Sequence, residues 1–408
     1  MEYRTVSGGV CAAKGFRAAG VHCGIRRSRT KLDLALIAAD HRCAAAGVFT
    51  TNKVCGAPIK VDRLHLADGY AQAIVCNSGN ANTCAANGVD LANQCCDLVA
   101  QALGIEAADV LPASTGVIGQ PMVIDPFAVG IPAAAAALTA EASGSKDAAV
   151  AIMTTDTYEK EYALEFYIGD KRCVLGAIGK GSGMIAPNMA TMLEFYTTDA
   201  AISPEMLHKA LTTVVPGTYN QMSVDLDTST NDTLLVMASG EAGNPEITAD
   251  GPDYQAFLGA LTAIAEHMCA EHASDGEGAT HLITCQVTGA PTLQIARAVA
   301  KSVVCSNLFK AAVFGRDANW GRILCAIGYT PGDFSIDKVC VWLASAAGEV
   351  YVCENAAYHP FSEEEASKVL SEHDILVKID MGLGDEQAKA WGCDLTYDYV
   401  KINGDYRT

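Results

Sequence analysis

The segment that decides how this chain is read runs Tyr162-Ala-Leu-Glu-Phe-Tyr-Ile168, Gly169-Asp170, Arg172-Cys-Val-Leu-Gly-Ala-Ile178, then Lys180-Gly-Ser-Gly-Met-Ile-Ala-Pro-Asn-Met-Ala-Thr191-Met-Leu193. Alternation on either side of Gly169-Asp170 predicts a β-hairpin, because successive strand residues point to opposite faces. The glycines that follow let the backbone approach a neighbour closely or adopt a strained conformation. A new strand is expected over Thr191–Thr197. Gly181-x-Gly183-x-x-Ala186 comes near a dinucleotide-loop fingerprint, which needs a helix directly after the glycines to hold the pyrophosphate. Pro187 would fall within the first turns and disfavours helix at Ala186, so a nucleotide loop is disfavoured.

Outward from this segment, helix-like and strand-like stretches alternate. An apolar strand at Ala73–Cys76 runs into an Asn/Gly loop at Asn77–Asn82, and Pro112–Gly119 reads as a loop. Asp90 is placed to cap a helix ending at Leu103 before Gly104. Ile131–Ala140 reads as a buried Ala-rich helix. Ser203-Pro204-Glu205 starts a helix that stops before Pro216. Further helices are expected over Asp253–His272, Pro291 to about Ser306 and near Ser362–Ser371. Strands are expected at His281–Thr288, Val339–Leu343, Ile375–Met381 and Leu395–Ile402. The pattern is α/β, with a domain boundary around 275–290.

The 408 residues are half hydrophobic and 18% charged, as in globular proteins, with a formal charge of −19. That balance argues against a nucleic-acid or anionic-membrane binder, either of which needs a basic face. The charge is uneven: residues 1–190 hold 16 Lys/Arg and 17 Asp/Glu, residues 191–408 hold 12 and 30. The first residues lack the apolar core of a signal peptide and no stretch approaches a membrane span, which makes the cytoplasm the expected compartment. Sixteen cysteines without a C-x-x-C pair point to neither zinc nor thioredoxin-type chemistry; Cys76, Cys173, Cys340 and Cys353 are expected in the core. Glu266, His267, Cys269, Glu271 and His272 are metal-capable types, but they lack H-E-x-x-H order and a third ligand, so they read as a polar helix end. The other histidines are scattered, and no G-x-S-x-G elbow is present.

The Ala190-Thr191 dipeptide has a sharper meaning. A small residue and flexible glycines suit a strained peptide that the threonine hydroxyl attacks, giving an N→O acyl shift, then hydrolysis and a new chain beginning with threonine. Its α-amine, with an ordinary pKa of about 7.7–8.0, then serves as the base for its own hydroxyl. An ordinary strand after a glycine turn is the competing reading of these residues alone.

With this segment the sequence resembles the ornithine/glutamate acetyltransferases of the cyclic arginine pathway, also called glutamate N-acetyltransferases. The resemblance runs through Lys14-Gly-Phe-Arg-Ala-Ala-Gly20, Gly47-Val-Phe-Thr-Thr-Asn52, Asn77-Ser-Gly-Asn-Ala-Asn82, Ser114-Thr-Gly-Val-Ile-Gly119, Gly183–Leu193, Asp227-Thr-Ser-Thr-Asn-Asp232, Asp275-Gly-Glu-Gly-Ala-Thr280, Asn319-Trp-Gly-Arg322 and Ile402-Asn-Gly-Asp-Tyr-Arg-Thr408. It implies self-cleavage between Ala190 and Thr191 into α and β chains that assemble two of each. Acetyl transfer from N-acetylornithine to glutamate through Thr191 is implied, without cofactor or metal. Members with and without acetyl-CoA as a second donor share these motifs, so that activity stays open. The resemblance places the oxyanion hole at Thr115 and Gly116. It places substrate contacts at Thr154, Lys180, Thr191, Glu277, Asn403 and Thr408. A layered α-β-β-α nucleophile domain over 1–282, cut after 190, and a smaller α+β domain over 283–408 are implied, the tail completing the site. Leu226, Cys11-Ala-Ala-Lys14, Cys23 and Cys43 depart from the usual pattern, none at the nucleophile or oxyanion positions. The related β-aminopeptidases, which cut peptides with an N-terminal nucleophile, are the nearest alternative, followed by an unprocessed metabolite-binding protein.

Overall fold

The computed structural model describes residues 3–186 and 192–405. The chain is mixed α/β with two mixed sheets. Its described residues fall into two compact units, the first taking in 3–181, 192–215 and 228–268, the second 182–186, 216–227 and 269–405.

The first unit opens with strands β1 (Arg4–Thr5), β2 (Phe16–Val21), β3 (Leu34–Phe49), β4 (Tyr70–Asn80), β5 (Val110–Val117), β6 (Lys160–Ile168), β7 (Lys171–Lys180) and β8 (Leu193–Thr198). After β8 the chain contributes β9 (Met222–Ser223) to the other sheet and returns as β10 (Thr233–Ala238). The order across this sheet is β1-β6-β7-β8-β10-β3-β4-β5, with β2 on β3. The expected hairpin is β6–β7, and Lys180 at its end pairs with Leu193 of β8. The early half of β3 pairs with β2 and β4, its late half with β10. The register with β4 slips between Ala38 and Cys43, where Asp40, His41 and Arg42 face solvent. Two pairs are parallel, β4 with β5 and β8 with β10. Parallel pairing sends both members of a pair out at the same sheet end, so Ser78 lies beside Thr115 and Gly79 beside Gly116.

Helices α1 (Ala57–His65), α2 (Gly88–Leu103), α3 (Asp125–Ala137), α4 (Ala142–Ile152), α5 (Pro204–Val214) and α6 (Pro252–Ser274) precede the remaining strands. At α5, Ser203 Oγ accepts from Met206 N at 3.3 Å and Pro204 occupies the first turn, as its sequence predicts. In the second unit the sheet order is β14-β13-β12-β15-β11-β16-β9, from β11 (Leu282–Ala290), β12 (Cys340–Ser345), β13 (Gly348–Glu354), β14 (Ala357–Tyr358), β15 (Asp374–Asp380) and β16 (Glu386–Cys393). Helices α7 (Leu293–Val304), α8 (Asn307–Phe314), α9 (Trp320–Gly328), α10 (Glu363–Val369) and α11 (Tyr397–Gly404) complete it. Along α7, Ala296, Val299, Ala300, Val303 and Val304 are buried at helical spacing in the core they share with Ile283, Cys285 and Val287 of β11. Each fully buried valine there is worth about 1.5–3 kcal/mol relative to exposure.

Several expectations are corrected. Pro112–Gly119 is a loop only at its last two residues: Val110–Val117 is strand β5, because its backbone pairs with β4 whatever its Ser/Thr/Gly content. Asn77–Asn80 likewise continues β4. Leu395–Ile402 is not a strand but mostly helix α11. Thr396 Oγ1 accepts from Tyr399 N at 3.3 Å and caps it, and none of its residues is buried, so the alternating tyrosines mark no buried face. Asp90 lies in the first turn of α2 rather than capping it, the capping position being Asn87. Within Ile131–Ala140 only Ile131 and Ala134 are buried, so this stretch covers the core with one edge only. Long β3 and helices α1, α4, α8 and α9 are not among the elements expected from the sequence.

Candidate active site

At the end of β4 and β5, buried amides and hydroxyls take the place of apolar packing. Ser114 Oγ donates to Asn77 Oδ1 at 2.6 Å, and Asn77 Nδ2 donates to Asn80 O at 2.9 Å. Asn231 Nδ2 donates to Ala81 O (2.6 Å) and Ser114 O (2.9 Å), while its Oδ1 accepts from Thr83 (2.6 Å) and Thr230 (2.5 Å). Both donors and both acceptor positions of this amide are filled, so it fixes the backbone on either side. Ser114 is the residue before Thr115. Nothing in the sequence alone assigns Asn231 a role, although it lies in the Asp227–Asp232 motif.

Gly116 stands at φ +130°, where L side chains rarely go. A Cβ there would meet Gly79 C at 2.3 Å and Asn80 N at 2.6 Å, both backbone atoms. The glycine is therefore demanded by the neighbouring strand, before any ligand is considered. Lys180 Nζ donates to Thr115 Oγ1 at 3.4 Å, with both residues buried. An ammonium only donates, so Thr115 Oγ1 accepts, and its own hydrogen is left to point at another acceptor.

The Asp156 side chain is fully buried. It accepts from Lys160 Nζ (2.8 Å), Gly181 N (2.7 Å) and Thr154 N (2.9 Å). Burial alone would raise its pKa, but the charges of Lys160 and Lys180 with these hydrogen bonds hold the carboxyl far below the ordinary range. Asp232 behaves oppositely: burial pushes it well above that range, against the lowering effect of Ser229, Thr50 and Lys180. The first unit thus brings Thr115, Gly116, Thr154 and Lys180 together, with an ionised and a neutral carboxyl around the lysine.

In the second unit, Asn403 Nδ2 donates to Glu277 Oε2 at 2.7 Å. The Glu277 carboxylate lies against Gly183, where a Cβ would come within 2.3 Å of its Cδ. Glu277 N donates to Ser182 O (2.9 Å) and Ser182 Oγ to Asp275 O (2.6 Å). Asp225 accepts from Met184 N (2.6 Å) and Ile185 N (2.8 Å), and Met184 sits at φ +56°. The stretch leading toward Thr191 is therefore gripped at 182, 184 and 185. Burial and the carboxylates of Asp225, Glu277 and Asp227 push the Tyr399 hydroxyl up, so it stays protonated.

Ala190, Thr191 and Thr408 lie outside the described residues. Among the described residues no group of three metal-capable side chains converges. His267, one of the types considered for a metal, stacks on Tyr162 with centroids 3.8 Å apart. All sixteen cysteines are free thiols, and burial pushes Cys43 and Cys95 up to about 12, which removes them as nucleophiles near neutral pH. Of the four expected in the core, Cys340 is only half-buried. No helix among the described residues is long and apolar enough to cross a membrane.

A hydroxyl that accepts from a buried ammonium beside a close-packed glycine is a donor set suited to an oxyanion, the chemistry of the acyltransferase class of enzymes. The sequence matches the ArgJ family over residues 17–408. It is 49% identical over 396 residues, 97% of either chain, to the arginine biosynthesis bifunctional protein ArgJ of Caldanaerobacter subterraneus subsp. tengcongensis. Among solved structures it is similar to the arginine biosynthesis bifunctional protein ArgJ of Bacillus halodurans (44% identity, TM-score 0.49, 52% of this chain and 99% of that one). It is also similar to the ornithine acetyltransferase of Mycobacterium tuberculosis complexed with ornithine (37% identity, TM-score 0.43, 46% and 100%). The chain belongs to the ArgJ family and is an acetyltransferase of arginine biosynthesis.

Proposed function

We propose that this enzyme moves acetyl from N2-acetylornithine to glutamate by a ping-pong reaction through an ester on Thr191, after cutting itself between Ala190 and Thr191. The observation that carries the site assignment is the Lys180–Thr115 contact beside Gly116, which leaves the Thr115 O–H to donate. The Thr191 amine takes the hydroxyl proton as the oxygen attacks the acetyl carbon. The tetrahedral oxyanion accepts from the Thr115 hydroxyl and the Gly116 N–H. The C–N bond then breaks, ornithine leaves with the proton, and acetyl stays on Thr191. The amine of glutamate attacks this ester, and collapse returns the proton to the Thr191 oxygen.

In this reading Lys180 receives a substrate carboxylate and Glu277, held by Asn403, the side-chain ammonium of ornithine. Thr154, Asn403 and Thr408 supply neutral contacts. Glutamate acetylation from acetyl-CoA belongs to this reading as a second activity of the same site. The α-β-β-α layering, the division into 1–282 and 283–408, the assembly of two α with two β chains and a cytoplasmic location belong to the same proposal. An assay with N-acetylornithine, with and without glutamate, tests it. Ornithine and N-acetylglutamate should form in equal amounts, whereas full-rate acetate release without glutamate would mark a hydrolase instead. Intact mass should resolve chains of 190 and 218 residues, and a single 42.6 kDa species that persists on incubation would overturn the mechanism.

A further inference from the structure

One carboxylate in the first unit joins the chain segments that carry Thr154 and Lys180. Asp156 Oδ2 accepts from Thr154 N, and its Oδ1 accepts from Gly181 N, the N–H of the peptide that Lys180 shares with Gly181. These donors come from the turn after α4 and the end of β7. A buried carboxylate persists only where its lone pairs are filled and a cation balances it. Lys160, whose side chain is equally without exposed surface, is that cation at 2.8 Å. The Asp156–Lys160 pair is neutral as a unit, and its hydrogen bonds to Thr154 N and Gly181 N fix backbone geometry.

We infer that Asp156 is a positioning residue of the acyl-transfer site, setting the Thr154 backbone and the Lys180–Gly181 peptide and, through them, the groups that receive an amino-acid substrate. The inference rests on the proposed assignment of Lys180 to the substrate carboxylate. A misplacement of 1 Å at such a group is enough to lower activity about a hundredfold.

The test exchanges the pair as Asp156→Asn with Lys160→Met, which removes the clamp and leaves the net local charge unchanged. L-Ornithine, which is not consumed, is titrated calorimetrically into the mature enzyme, the exchanged pair, Lys180→Ala and the combination of all three. The exchanged pair should weaken ornithine binding about tenfold or more, and in the Lys180→Ala background it should add less than about twofold, since residues acting through one another are not additive. A purely structural contribution would multiply with the Lys180 loss, and that result, or wild-type affinity in the exchanged pair, overturns the inference. If Lys180→Ala binds ornithine like the wild type, the assignment of Lys180 itself is wrong and the inference falls with it. Should the exchanged pair not accumulate as folded protein, Asp156→Glu, which keeps the charge and displaces the carboxylate by one methylene, carries the same expectation.

Discussion

Replacing Gly116 by alanine separates what the strand requires from what the chemistry requires. The added Cβ would lie 2.3 Å from Gly79 C and 2.6 Å from Asn80 N, where ordinary contacts begin near 3.4 Å. The deficit is about 1 Å against backbone atoms that have no rotamer to yield, so β5 must move away from β4 at this point. Displacement on that scale takes the proposed oxyanion donors, the Gly116 N–H and the Thr115 hydroxyl, out of line, at an expected loss of about 10²–10³ in kcat. Gly119 in the same motif is the internal control: it stands at φ +78°, but nothing lies within 4 Å of the place its Cβ would take. Gly119→Ala should therefore cost only the left-handed backbone, about 1–2 kcal/mol of stability, and leave kcat near the wild type. The assay is acetyl transfer at saturating N-acetylornithine and glutamate, with thermal unfolding alongside. A Gly116→Ala enzyme that keeps wild-type kcat would refute the reasoning.

Other expectations follow from the same contacts. Asp225→Ala removes the acceptor for Met184 N and Ile185 N and releases a left-handed residue close before the proposed scissile bond, so self-cleavage followed by intact mass should slow about tenfold or more, with Asp225→Asn intermediate. Asn231→Leu strips the donors from Ala81 O and Ser114 O and should destabilise by about 2–4 kcal/mol in a denaturant titration, with transfer falling in parallel. The Lys301 ammonium donates to Met222 O, and its burial lowers its pKa from 10.5 to about 8. Between those values the unfolded chain binds more protons than the folded one, so this group makes stability rise with pH from about 8 to 10.5. Lys301→Met should abolish that rise in unfolding experiments run across the window, and an unchanged slope would show the lysine to be solvated.

How much of this is legible in the sequence depends on the range of the interaction involved. The β6–β7 hairpin, the Ser203 cap of α5 and the core stripe of α7 are set by neighbours within a few residues, and the sequence displays them directly. The Ser114–Gly119 motif reads as a loop because its composition is that of loops. What makes it a strand is β4, more than thirty residues earlier, whose backbone takes up its hydrogen bonds. Tyr397 to Ile402 reads as a strand for the converse reason: a two-residue alternation without a buried face is no signal of strand, and the Thr396 cap decides for helix.

By itself the sequence determined the family, the candidate nucleophile and the residue types available for the chemistry, because the motifs carrying them are contiguous. The tertiary structure decided which of those residues touch one another. Asn231 holds Ser114 from more than a hundred positions away, and Asp156 joins Thr154 to Gly181. Neither pairing leaves a trace in periodicity or spacing, since a buried amide or carboxylate is placed by the partners that replace its lost water, and the fold alone brings those partners within reach.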